Sequence, residues 1–121
     1  LQGRPINIQL ASEILQDVLV DKNASSLSVE SIQRVVAEHY KLKVADLKAK
    51  KRNRVFSVPR QIAMFLARER TDSSFPEIGG LFGGRDHTTV MHAHTKIGTD
   101  RRKDVELRSQ LEVLERKLDQ I

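Results

Sequence analysis

Apolar residues recur along this chain at three- and four-residue steps, the spacing of one helix face, and no segment alternates at period two over a useful length. From Asn7 to Asp21 the set Leu10, Ile14, Leu15, Val18 and Leu19 lies on one such face. The turn formers DKNASS break the pattern. Ser28 then reads as the N-cap of a helix over roughly Val29 to Tyr40, with Glu30 near its positive dipole end. Val29, Ile32, Val35, Val36 and Tyr40 form its buried side. A helical turn around Val44 to Leu47 follows, then a loop from Lys48 to Arg54. Ser57 and Pro59 are expected to open the next helix, because proline is tolerated in a first turn where N–H groups have no partners. Its apolar face is Ile62, Phe65 and Leu66.

The segment SFPE places Glu77 three residues after Ser74, the spacing of a capping box, with Pro76 in the first turn. Gly79-Gly80 and Gly83-Gly84 keep that helix short. Asp86 is the natural N-cap of another helix. From Asp104 to Ile121, Leu107, Leu111, Leu114, Leu118 and Ile121 form one amphipathic stripe. About two heptads suit packing on the domain or a neighbour better than a coiled coil. The chain reads as all-α.

Composition narrows this reading. With 121 residues, 39% of them hydrophobic, the chain is one domain's worth, and its aliphatic residues suffice for a core. No run of 18 apolar residues exists, so a soluble protein is expected. The opening LQGRPINIQL has no signal-peptide pattern. The absence of cysteine excludes disulfides and thiolate metal sites, and fits a reducing cytoplasm. Charge is unevenly spread. Residues 41–70 hold ten Lys or Arg against two acids, +8, whereas the remainder sums to −3. A solvated lysine-rich face would carry interspersed acids; their scarcity points to a polyanionic partner.

The stretch GGRDHTTVMHAHTKI, Gly83 to Ile97, concentrates candidate chemistry. On a helical wheel Val90, Ala93, His94 and Ile97 share one side, and Thr88, Thr89, His92, Thr95 and Lys96 the other. His87 and His92 diverge by about 140°, and His92 and His94 by about 160°, too far to close on one zinc. His94, on the apolar side, is expected at the core's margin. No nucleophile elbow is present, and GGLFGGR does not match a phosphate loop. The chain is therefore expected to be neither an enzyme nor a metal protein.

A helix-turn-helix fits instead, with Ser74 to Phe82 as first helix, Gly83 to Arg85 as turn and a recognition helix from Asp86. Asp86, His87, Thr88 and Thr89 would enter a major groove, where threonine methyls suit thymine, histidine donates to base acceptors and a carboxylate accepts from cytosine. His92 and Lys96 would face phosphates. The loop AKKRNR can reach a minor groove. Arg60 and Gln61 are expected at a helix start, facing phosphates or base edges. Arg68 and Arg70 lie at that helix's end, where the dipole equally explains them.

FPEIGGLFGGRDHTTVMHAHTKI closely resembles the signature region LPxIGxxFGGRDHTTVxHAxxKI of the bacterial DnaA family of replication initiators. SVESIQRVVAEHYKLKVADLKAKKRNR and PRQIAMFLARE resemble that family's upstream helices and basic loop. The resemblance spans about residues 28–97, with Phe75 replacing the more usual leucine and Arg68 standing where lysine is frequent. It implies a helix-turn-helix variant with a basic loop that binds double-stranded origin DNA at TTATNCACA-type boxes. By position, Arg52 would read the minor groove, and Arg60, Asp86, His87 and Thr88 base edges in the major groove. Lys50, Gln61, Arg68, Pro76, Thr89, His92 and Lys96 would make backbone or flanking contacts.

The resemblance further implies that residues 1–27 are the end of an ATPase-region lid and a linker helix. ATP would be bound by the intact protein and no cofactor by this chain. Regulatory proteins and acidic phospholipid are possible partners of the intact protein, the location is cytoplasmic, and this chain is a monomer. Residues 98–121 fit the family pattern poorly and are expected to be a C-terminal helical extension. A different class, a module whose basic face docks an acidic protein, stays open from the residues alone.

Overall fold

The computed structural model describes residues 27–121, which form six helices and, among the described residues, no strand. The expected helix over Asn7 to Asp21 and the linker assignment of residues 1–27 fall almost wholly outside the described residues. The helices are α1 (Val29–His39), α2 (Val44–Lys48), α3 (Arg54–Arg70), α4 (Phe75–Leu81), α5 (His87–Asp100) and α6 (Val105–Asp119). None is long and apolar enough to cross a membrane.

Most helix starts follow from side-chain caps. Ser28 accepts from the Ser31 N–H, Asp86 from Thr88 and Asp104 from Leu107. Ser74 and Glu77 form the expected reciprocal box at α4, the Ser74 N–H donating to Glu77 Oε1 at 2.7 Å. The end of α1 is less ordinary. The Lys41 N–H donates to Glu38 and the Leu42 N–H to Ala37, a Schellman motif whose left-handed position (φ 60°) is held by a lysine where glycine is usual.

The start of α3 departs from expectation. The helix begins at Arg54 after Asn53, so Pro59 is its sixth residue and Arg60 and Gln61 lie in its second turn. Proline there removes the N–H that Val55's carbonyl would accept. Val55 is 65% exposed, so water can replace that partner and the interruption is tolerated.

The core is aliphatic with two buried phenylalanines, Phe65 and Phe82, and its centre is α3, where Ile62 to Ala67 are all buried. Helix α5 lies against α3 and α4 through Val90, Ala93 and Ile97. Helix α6 packs on α1 through its leucine stripe, Leu111, Leu114 and Leu118 being buried, while Ile121 stays exposed beyond the helix end. Polar ties reinforce that seam. Lys117 donates to His39 Nδ1, which leaves His39 Nε2 to donate to Gln110 Oε1. Arg70 at the end of α3 pairs with Asp119 at the end of α6.

Candidate nucleic-acid interface

Two backbone contacts set the geometry of the turn between α4 and α5. A Cβ at Gly79 would lie 2.2 Å from the Arg85 carbonyl oxygen, so only glycine lets the chain fold back this closely. The Arg85 N–H donates to the Gly79 carbonyl at 2.8 Å. Gly83, at φ 82°, brings its Cα against the Lys48 carbonyl, where a Cβ would meet the oxygen at 2.2 Å. The turn is thus seated directly on the chain that begins the basic loop.

The carbonyls at the end of α2 are taken up by two arginines. Arg60, 7% exposed, donates from Nε to Leu47 at 2.9 Å and from Nη2 to Asp46 and Ala49. Arg85 donates from Nη2 to Ala49 at 2.6 Å and from Nη1 to Lys48 and Phe82. Cations suit a helix C-terminus, whose last carbonyls lack partners within the helix. Burial pushes both guanidinium pKa values down, and for Arg60 the facing Arg85 charge adds to the effect. Two guanidiniums in one place favour an anionic neighbour.

Around them lies a cleft of about 350 Å³ lined by Lys50, Lys51, Arg52, Arg60, Gly83, Gly84 and Arg85, with no carboxylate. Lys51 is committed, to Asp46 at 3.0 Å and to the face of Phe56 at 4.5 Å. Lys50 and Arg52 are exposed and have no side-chain partner among the described residues. Arg60 and Arg85 also wall a second groove between α3 and α5, of about 220 Å³, which gathers Gln61, Thr89, His92 and Lys96. Lys96 pairs with Asp100 along its own helix at 2.8 Å.

Asp86, His87, Thr88 and Thr89 are all exposed at the start of α5. Asp86 Oδ1 caps the helix and lies 2.9 Å from His87 Nδ1, and Asp86 Oδ2 and His87 Nε2 have no partner among the described residues. Arg68 and Pro76 line neither cleft. Arg68 lies over the Phe75 ring at 4.5 Å and donates to the Ser73 carbonyl at 3.0 Å. His94 is at the core's margin as expected, stacked on Phe65 at 5.2 Å with Nε2 2.7 Å from Glu69. Among the described residues no three His, Asp or Glu side chains converge as metal ligands would.

The structure thus brings Lys50, Arg52 and Arg60 together at the first cleft, and Arg60, Gln61, Thr89, His92 and Lys96 at the second. Sequence reading missed Arg85, which belongs to both. Its only signal was its place between a glycine pair and an N-cap. Arg60 also differs from expectation, being buried in the second turn of α3 where a residue at the helix start was expected.

A family model described as the bacterial dnaA protein helix-turn-helix matches residues 29–97. The chromosomal replication initiator protein DnaA of Leptothrix cholodnii is 56% identical over 115 residues, covering 95% of this chain and 22% of that protein. That of Methylibium petroleiphilum is 56% identical over 115 residues, 95% of this chain and 24% of the relative. That of Burkholderia multivorans is 54% identical over 116 residues, 96% and 22% respectively. The chain therefore spans less than a quarter of the length of these relatives. Their matches also reach into most of residues 98–121, which the sequence reading had set outside the resemblance.

Proposed function

The chain belongs to the bacterial DnaA helix-turn-helix family, and from that membership we propose that it binds double-stranded DNA boxes of the TTATNCACA type at the replication origin. The observation that carries this reading is the exposed first turn of α5 beside a basic loop whose Lys50 and Arg52 have no partner among the described residues. A recognition helix enters the major groove by its N-terminal residues. Asp86 Oδ2 can accept from a cytosine amine, His87 Nε2 can bond a base edge, and the Thr88 methyl can contact a thymine methyl.

Arg52, free and on a loop, suits the narrow minor groove of an A·T-rich step. Arg60 lines both clefts, its Nε and Nη2 anchored on carbonyls and its Nη1 without a partner among the described residues. Gln61, Thr89, His92 and Lys96 line the groove between α3 and α5 and would track one strand's phosphates, with Lys50, Arg68 and Pro76 as flanking contacts. The chemistry proposed is recognition, by residues within the matched span.

For the intact protein the same reading places ATP binding outside this chain, in a cytoplasmic initiator open to regulatory proteins and acidic phospholipid. This chain engages one asymmetric box as a monomer.

The test is a panel of single-position box variants bound by the chain and by two substituted forms. Arg52→Ala is expected to flatten preference only at the A·T positions of the minor-groove end, and His87→Ala only at major-groove positions. Each read position costs about 1–3 kcal/mol when mismatched. Identical profiles for all three proteins would refute the assignment of grooves.

A further inference from the structure

Arg85 lines both clefts, yet none of the proposed contacts uses it. Its Nη1 and Nη2 donate to three carbonyls on two separate backbone segments: Lys48 and Ala49, where the basic loop begins, and Phe82, where α4 ends. Gly83 packs its own backbone on the Lys48 carbonyl between them. Two residues after Ala49 the loop has its last internal tie, Lys51 on Asp46 and Phe56, and Arg52 beyond it has none among the described residues. One residue after Arg85 the recognition helix starts at its Asp86 cap. Arg85 therefore stands where the covalent start of α5 and the start of the loop are held together.

We propose that Arg85 is a positioning residue whose guanidinium straps the basic loop to the helix-turn-helix turn, fixing the offset between minor-groove and major-groove contacts. This rests on the reading of Arg52 and α5 as the two contact sets. A guanidinium fits the task because its planar fork reaches several carbonyls at once, whereas an ammonium acts as a point charge. With the strap in place, loop and helix meet the duplex as one preorganised body, and binding spends no free energy on ordering one against the other. Without it, Arg52 keeps its charge but loses its register.

The simplest competitor is that Arg85 contacts a phosphate directly. The two differ in coupling. A strap makes the contribution of Arg52 conditional on Arg85, while independent phosphate contacts add. The experiment is a double-mutant cycle on the full 121-residue chain with Arg52→Ala, Arg85→Met and both, bound to a TTATCCACA duplex and to a scrambled one. Arg52→Ala is expected to weaken box binding about tenfold in the parent and no more than about twofold with Arg85→Met. Arg85→Lys, which keeps the charge, is expected to behave like Arg85→Met and not to restore the minor-groove preference.

Equal loss from Arg52→Ala in both backgrounds, or full rescue by lysine, overturns the strap. Thermal melts report whether Arg85→Met is folded; if it is not, the cycle is run on Arg85→Lys and decides in the same way. A parent chain that binds box and scrambled duplex alike would instead remove the underlying reading, a result the cycle cannot mimic.

Discussion

Gly79 and Gly80 are neighbours on one helix with opposite constraints. A side chain at Gly79 has no room against the Arg85 carbonyl, whereas Gly80 faces open space with nothing within 4 Å. Gly79→Ala is expected to cost about 1–3 kcal/mol by overpacking. Gly80→Ala should gain about 0.5–1 kcal/mol, because glycine in a helix interior carries excess backbone entropy. Urea unfolding of the two variants checks both signs. Among the proposed contact residues, His87→Ala is expected to cost about 1–3 kcal/mol on the box and to relax selectivity at one position. Lys96→Ala should weaken all duplexes alike and lower the salt slope by about 1. Titrations on box and scrambled DNA at two salt concentrations separate these outcomes.

Helix starts were legible in the sequence wherever a side chain does the capping, as at Ser28, Ser74, Asp86 and Asp104. The start of α3 was not. Asn53 makes no side-chain cap bond, and Pro59 carries the usual mark of a first turn while standing in the second. The end of α1 was legible to within a residue, at Tyr40, but the left-handed turn that follows was not, since residue type does not announce Lys41 in that position. Replacing Lys41 with glycine should stabilise the protein by about 1 kcal/mol, measurable by thermal unfolding. The capping box of α4 gives a pH prediction. The Ser74 N–H and hydroxyl hold the Glu77 carboxyl below its usual range. A depressed folded pKa contributes stability above the unfolded value, about 4.3, and that contribution disappears as pH falls through the folded one. Melting temperature should therefore fall on acidification below about pH 4, and less steeply in Glu77→Gln. Identical acid limbs in the two proteins would show the box contributes nothing.

Across the whole molecule, the charge pattern and the helix order together pointed to an all-helical helix-turn-helix domain with a basic loop, but not to how the two are joined. Arg60 looked like a helix-start contact because the helix was placed one turn too late; its burial among carbonyls is a tertiary fact. Arg85 escaped notice because two of its three partners, Lys48 and Ala49, lie 37 and 36 residues away in the chain. The leucine stripe of α6 read as packing on the domain or a neighbour; it lies on the domain, where it covers α1 on a seam closed by His39, Gln110 and Lys117. Leu114, fully buried there, is expected to cost about 2–5 kcal/mol as alanine, a loss that unfolding should reveal. The central claim is that the basic loop and α5 form a sequence-specific reader of duplex DNA, beyond the general attraction that any surface of +8 has for phosphate. Fluorescence anisotropy at about 150 mM salt, with one duplex carrying TTATCCACA and another the same bases scrambled, tests it most directly. The account predicts tighter binding to the box by about a hundredfold or more. Equal affinity for both duplexes would contradict it.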